Sequence, residues 1–119
     1  MFEFFLKAKL HKATVTEADI DYEGSLTVDK ELLDAVGMKI FERVHVYNIT
    51  NGERFETYLI EGVSGSGTIG LNGAAARKGM KGDKIIIVAY CLLPDNQSDH
   101  FPQIALLDEQ NKIKEMISK

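Results

Sequence analysis

In Val44-His45-Val46-Tyr47-Asn48-Ile49-Thr50-Asn51-Gly52-Glu53-Arg54-Phe55-Glu56-Thr57-Tyr58-Leu59-Ile60, apolar side chains recur on both sides of Asn51-Gly52. Both residues of that pair accept positive φ, so this is the strongest hairpin signal in the chain. Downstream, Gly62 to Gly67 reads as a glycine and serine loop, Thr68 to Leu71 as a short strand, and Ala74 to Lys78 as one turn of helix opened by Asn72-Gly73. Lys84 to Leu93 contains Ile85-Ile86-Ile87-Val88-Ala89, and β-branched residues at that density predict a core strand buried on both faces. Ile104 to Leu107 gives one more strand, and Asn111 to Lys119 a frayed helix or tail.

Upstream of the hairpin, Phe2 to Leu6 and the loosely alternating Ala13, Val15 and Ala18 read as two strands. The pattern gives way between Asp19 and Gly24, which puts Ser25 at a strand end. Asp29 is a good N-cap for a short helix carrying Leu32, Leu33 and Val36, closed by Gly37. Many short strands and few short helices predict a mainly β, small closed barrel with its edges paired, a single domain over residues 1–119.

The chain has 119 residues and a net charge of −4 from 14 basic and 18 acidic residues. That balance lacks the basic footprint of a nucleic-acid binder. Cys91 is the only cysteine, so neither an internal disulfide nor a cysteine metal cluster is available, and a cytoplasmic protein is expected. His11, His45 and His100 are too scattered for metal ligation, so no metal is expected. Met1-Phe2-Glu3-Phe4-Phe5 reaches Lys7 too soon for a signal peptide or membrane helix.

Gly65-Ser66-Gly67-Thr68-Ile69-Gly70 matches G-x-G-x-x-G, but Leu71-Asn72-Gly73 follows where a dinucleotide fold needs a helix, and there is no P-loop lysine. No nucleotide is expected. A Ser-His-Asp hydrolase assembled from Ser25 and His11 lacks the nucleophile elbow.

Tyr22-Glu23-Gly24-Ser25 carries different chemistry. Gly24 has no Cβ to crowd its carbonyl, so the Ser25 hydroxyl can swing back and convert the peptide to an ester, in a strained turn that glycine tolerates. Elimination and hydrolysis would then leave a pyruvoyl group at residue 25. A plain turn is the commoner fate of Gly-Ser. The surrounding motifs change that balance: Lys9-Leu10-His11, then Asn51-Gly52-Glu53-Arg54-Phe55-Glu56-Thr57-Tyr58, then Asn72-Gly73-Ala74-Ala75-Ala76-Arg77 and Gly82-Asp83. In order and spacing they resemble the aspartate 1-decarboxylase family, pyruvoyl enzymes that make β-alanine for pantothenate synthesis, over Lys9 to Tyr90. Glu3 departs from the basic residue expected there, and the tail after Pro94 matches only in character.

The resemblance implies a double-ψ β-barrel assembled as a homotetramer with sites between subunits, and self-cleavage between Gly24 and Ser25 into residues 1–24 and 25–119. It implies a pyruvoyl group from Ser25 that takes up the amine of L-aspartate as an imine and drains the carbanion left by loss of the α-carboxylate. Arg54, with its bidentate fork, and Lys9 then bind substrate carboxylate. Asn72, Gly73, Ala74 and Ala75 orient the substrate, at a helix N-terminus welcoming to a carboxylate. Tyr58 reprotonates the α-carbon, Thr57 positions the scissile peptide, and His11 and Tyr22 line the site. Ordinary readings compete with each: Arg54 and Lys9 as solvated cations, Tyr58 as a half-buried aromatic, His11 as a polar residue on an exposed strand face.

One difficulty is visible in the spacing. Arg54, Glu56 and Tyr58 share one face of a regular strand while Phe55 and Thr57 take the other, so a bulge, a twist or a second subunit is needed to bring Thr57 and Tyr58 to one site. The rival function is a non-enzymatic binding barrel using Gly62 to Gly73, with Ser25 unprocessed.

Overall fold

A computed structural model describes residues 1–23, 25–97 and 99–118. Nine strands are seen among them: β1 (Phe2–Thr14), β2 (Glu17–Asp19), β3 (Leu26–Asp29), β4 (Arg43–Asn48), β5 (Arg54–Gly62), β6 (Ile69–Asn72), β7 (Lys84–Pro94), β8 (Gln103–Leu107) and β9 (Ile113–Ile117). One helix, α1 (Lys30–Val36), and a 3₁₀ turn over Gly73–Arg77 complete the list.

The strand order is β2-β6-β3-β5-β4-β7-β1-β8-β9. The chain leaving β1 at Thr14 re-enters at the opposite end of this order as β2, and Thr16 N donates to Ile69 O at 2.8 Å on the way. That crossing closes the sheet into a barrel. Parallel pairs β2–β6 and β3–β5 alternate with antiparallel ones, in keeping with the double-ψ form. Leu10, Leu26, Leu59, Ile69, Leu71, Ile85 and Ile87 fill the interior, each fully buried. Burial of such a side chain stabilises the fold by roughly 1.5–3 kcal/mol.

The hairpin forms as β4 and β5, with Val46 opposite Phe55 and Arg43 opposite Tyr58. Its connection is longer than a two-residue turn, however, and only Gly52 takes positive φ, at 79°. Asn48 makes the difference. Its Oδ1 accepts from Thr50 N at 2.9 Å while its Nδ2 donates to the buried Asp83 carboxylate at 2.9 Å, so an Asx turn bolts the hairpin to the start of β7.

Three other expectations need correcting. Phe2 to Thr14 is one strand, not a break between two, because register shifts between Leu6 and Ala8 and between Leu10 and Ala13 absorb its irregular pattern, with Lys12 at φ 63°. β7 is covered on both faces only in part: Ile85, Ile87, Val88 and Ala89 are buried, but from Tyr90 onward alternate residues reach solvent. Ile113–Ile117 is a strand paired with β8, not a helix or tail.

Asp29 caps α1 as expected, accepting from Glu31 N at 2.9 Å, and Gly37 closes it at φ 74°. The same carboxylate, 2 % exposed, also accepts from Gly65 N at 2.8 Å and Gly67 N at 2.9 Å. Those bonds shape the glycine loop as a crossing over the end of β3, from β5 on one side to β6 on the other, so it is not a hairpin loop. β6 and not a helix follows it directly, and the dinucleotide motif is a coincidence of spacing.

Candidate active site

Register builds the site. β3 runs parallel to β5 with Leu26 beside Leu59, and antiparallel to β6 with Leu26 beside Leu71. One step back along β3, Ser25 is therefore level with Tyr58 on one side and Asn72 on the other. Asn72 N donates to Ser25 O at 2.9 Å. Ser25, Phe55, Glu56, Thr57, Tyr58, Asn72, Gly73, Ala74, Ala75 and Lys78 line a cleft of about 450 Å³. Thr57 and Tyr58 border the same cleft although they sit on opposite faces of β5, with Thr57 half-buried and Tyr58 41 % exposed.

Gly73 has φ 60°, and a Cβ there would lie 3.2 Å from the Tyr22 carbonyl oxygen. Glycine is needed on both counts. Tyr22 thus reaches the site through its backbone, while its side chain is exposed. The turn after Asn72 is a five-residue 3₁₀ segment, so it offers individual N–H groups and not a helix dipole. The expected scission involves Gly24, which lies outside the described residues.

Arg54, Lys9 and His11 stand elsewhere. Arg54 shares the outer face of β5 with Tyr58, but four residues of strand separate them by about 13 Å. Its guanidinium lies 4.3 Å from the centre of the Tyr47 ring, and it borders a second cleft with His45, Tyr47, Phe55 and Glu56. Lys9 pairs with Val88, Val88 with His45, and His45 with Glu56, one row across β1, β7, β4 and β5. Three strand spacings, about 14 Å along the barrel wall, separate Lys9 from β5. His11, two residues along β1, has a buried Nδ1 with no hydrogen-bond partner. Burial and then the charges of Lys9 and Lys12 push its pKa below the ordinary 6.5.

Several residues around Arg54 had no signal in the sequence. Tyr47 and Tyr90 join hydroxyl to hydroxyl at 2.7 Å, and His45 packs edge-on against Tyr90 at 5.1 Å. Burial, then the bond to Tyr90, raise the Tyr47 phenol to about 12, so it stays protonated. Glu56 bonds both Arg43 and His45 Nε2, the latter at 3.0 Å, and the Arg43 bond is the main reason its carboxyl is held below the usual range. Tyr90 meets Tyr47 only because β4 and β7 are neighbours, which local pattern does not reveal. Phe41 was missed too. It is 71 % exposed, takes φ 68°, and sits 6.3 Å from the Tyr58 ring. A bulky residue in that backbone region is strained, and such strain gathers at working sites.

Among the described residues no three His, Cys, Asp or Glu side chains cluster as metal ligands, and no helix is long and apolar enough to cross a membrane.

A closed β-barrel with a serine presented at a strand end, beside a tyrosine and a glycine-alanine turn, is the class of protein that the fold and cleft define. The family model for aspartate decarboxylase matches residues 1–114, and the chain belongs to that family. Aspartate 1-decarboxylase of Desulfotalea psychrophila is 58 % identical over 98 % of this chain and 99 % of its own length. The proteins of that name from Caldicellulosiruptor saccharolyticus and Bacillus velezensis are 56 % and 51 % identical, over 96 % and 100 % of this chain and 90 % and 94 % of their own.

Proposed function

We propose that this chain decarboxylates L-aspartate at its α-carboxylate to β-alanine and CO₂, for pantothenate synthesis in the cytoplasm, using a pyruvoyl group made from its own Ser25. The reaction follows from the family and from full-length relatives of that name. The observation that carries the site is the register that brings Ser25, Tyr58 and Asn72 level at one cleft.

The residues there fit the group. Gly73 leaves room beside the Tyr22 carbonyl, and Ala74 and Ala75 keep the wall low, so a small α-keto group and a four-carbon substrate can share about 450 Å³. Once formed, the pyruvoyl group supplies an electron sink linked to the substrate amine, as pyridoxal phosphate does in other decarboxylases.

The chain's own side chains do the rest. The Ser25 hydroxyl attacks the Gly24 carbonyl, with Thr57 positioning the peptide, and the Gly24–Ser25 C–N bond breaks as the ester forms. Elimination then frees residues 1–24 as a carboxylate and leaves dehydroalanine at residue 25, and hydrolysis by water with loss of ammonia leaves the pyruvoyl group on 25–119. Backbone N–H groups from Gly73 to Ala75 and the Asn72 amide hold the substrate against the cleft wall. Tyr58 returns a proton from its Oη to the substrate α-carbon after CO₂ has left, the position a general acid must occupy. Arg54, helped by Lys9, grips a substrate carboxylate through its planar fork. Since one chain holds those cations away from Ser25, a neighbouring copy in a homotetramer supplies them, and His11 travels with Lys9.

Intact mass of the purified chain tests this directly. Two fragments matching residues 1–24 and 25–119, the larger without a free N-terminal amine, together with β-alanine production, are expected. Ser25→Ala should remain one chain and be inactive, because alanine has no hydroxyl to attack with. A parent chain that stays whole and leaves aspartate untouched would favour the binding barrel. A Ser25→Ala chain that still decarboxylates would exclude the pyruvoyl mechanism.

A further inference from the structure

We propose that Thr27 is a positioning residue for Asn72: its hydroxyl ties one end of the Asn72 side-chain amide and thereby aims the other end at the Ser25 cleft. The proposal rests on the reading above, in which the Asn72 amide holds the substrate; the bond from Asn72 N to Ser25 O also ties the residue to the peptide that is to be cut.

Asn72 is 4 % exposed, so its amide has little water to satisfy it and must find its partners within the protein. Nδ2 lies 2.8 Å from Thr27 Oγ1. The backbone N of Asn72 is meanwhile committed to Ser25 O at 2.9 Å, so the residue is held at its main chain by the reacting serine and at its side chain by Thr27.

The pairing follows from register. Thr27 stands opposite Gly70 on β6, and Asn72 is two residues farther on, so it projects to the same side as Thr27. They form the diagonal pair that long polar side chains bridge across neighbouring strands. Gly70 itself has no side chain to intervene.

The hydroxyl is in turn held by its own methyl. Threonine is stiff at χ1, so placing Cγ2 places Oγ1. A Cβ at Gly62, on the other neighbouring strand, would come within 3.1 Å of Thr27 Cγ2. The methyl therefore fills the space that glycine leaves at position 62, and the hydroxyl is turned toward Asn72. Gly62 on β5, Thr27 on β3 and Asn72 on β6 make one chain of contacts ending at the serine.

The test uses the full chain with Thr27→Val, Thr27→Ser and Thr27→Val combined with Asn72→Ala. The readouts are the rate of cleavage by intact mass, kcat and KM for aspartate per cleaved site, and the thermal midpoint. Thr27→Val keeps the branched shape and loses the hydrogen bond. We expect a midpoint close to the parent's, slower cleavage, and a kcat lower by about tenfold, the scale of one lost hydrogen bond, with KM within about twofold. Thr27→Ser, which keeps the hydroxyl without the methyl that aims it, should recover part of the loss and fall between Thr27→Val and the parent. In the Asn72→Ala background, Thr27→Val should add nothing.

Equal cleavage and turnover in the parent and Thr27→Val would overturn the proposal while leaving the function intact. A drop in midpoint that accounts for the lost activity, with no recovery in Thr27→Ser, would overturn it in favour of a packing role. If Thr27→Val does not fold, Thr27→Ala, which puts no second methyl against the Asn72 amide, decides on the same readouts. A parent that makes no β-alanine would remove the underlying reading, and the Thr27 proposal with it.

Discussion

The cleft at Ser25 and the aromatic surface around Arg54 are built on one hairpin yet make opposite use of it. Around Ser25 the wall that follows β6 is low and its contacts are main-chain, with Asn72 N to Ser25 O, a glycine against the Tyr22 carbonyl and two alanines, while Phe55, Thr57 and Tyr58 of β5 form the other wall. Around Arg54 the surface is aromatic and charged, with the guanidinium stacked on Tyr47, Tyr47 pinned by Tyr90, and Arg43 and His45 sharing Glu56. The first arrangement suits bond chemistry on a backbone atom, which the low wall leaves open to approach. The second suits holding an anion at a fixed angle. A strand rises about 3.3 Å per residue, so Arg54 and Tyr58 leave β5 about 13 Å apart, and the Arg54 guanidinium is turned onto Tyr47 at a different cleft from Ser25.

This division predicts that the two regions separate kinetically. Tyr58→Phe keeps the ring and its contact with Phe41 and removes only the hydroxyl. Proton return comes after CO₂ loss, whereas the attack of Ser25 on Gly24 needs no such proton. Cleavage should therefore proceed, while kcat for aspartate falls on the order of a hundredfold or more. Fragment masses and steady-state kinetics on the same preparation report both. Failure to cleave, or full activity after cleavage, would take the proton-donor role from Tyr58 and blur the distinction between the regions.

Arg54→Lys tests the other region. The charge remains but the planar fork and its stacking on Tyr47 are lost, so kcat/KM for aspartate should fall by roughly tenfold to a hundredfold, carried mainly by KM, with cleavage unaffected. Mixing then asks whether the regions meet between copies. Oligomers assembled jointly from Ser25→Ala and Arg54→Ala chains, each inactive alone, should regain part of the activity. No recovery in a verified mixed oligomer would mean that Arg54 serves the Ser25 of its own chain.

The same division explains what was legible from sequence. Asp29 and Gly37 as caps, the β4–β5 hairpin and the 3₁₀ turn after Asn72 are all local, and turn residues and alternation report such features well. The closing of the barrel through β1 and β2, and the pairing of β3 with both β5 and β6, bring together residues tens of positions apart. No local pattern encodes that. Ser25 and Tyr58 could be nominated from motifs, but their being level could not, and neither could the Tyr47–Tyr90 bond or the Thr27–Asn72 pair. Ile113–Ile117 depends on distant partners in the same way: three of its five residues are apolar but do not alternate cleanly, and it becomes a strand because β8 offers it an edge and because Asn111, 2 % exposed, bonds Thr14 O at 2.9 Å and Gly67 O at 2.8 Å.

The smallest effect is expected at His11, where pH separates a packed histidine from a charged one. Its Nδ1 is buried without an acceptor, and Lys9 and Lys12 stand beside it on β1, so a second proton would add a charge among cations with no hydrogen bond to receive it. Across β8, Leu106 is its paired neighbour, and the nearest carboxylate in that row, Glu115, is a further strand away on β9. The folded pKa therefore lies below the ordinary 6.5, and between the two values the unfolded chain binds more protons than the folded one. Stability from this group is full above pH 6.5 and is lost as pH falls through the folded pKa. His11→Gln cannot titrate, so the parent should lose stability relative to the variant on going from about pH 7.5 to about pH 5, read as a converging or crossing pair of urea midpoints. Parallel midpoints over that range would show that His11 titrates alike in both states. A parent that gains on the variant in acid would show His11 held charged, as a ligand for substrate carboxylate would be, and would move it from the barrel wall into the Arg54 region.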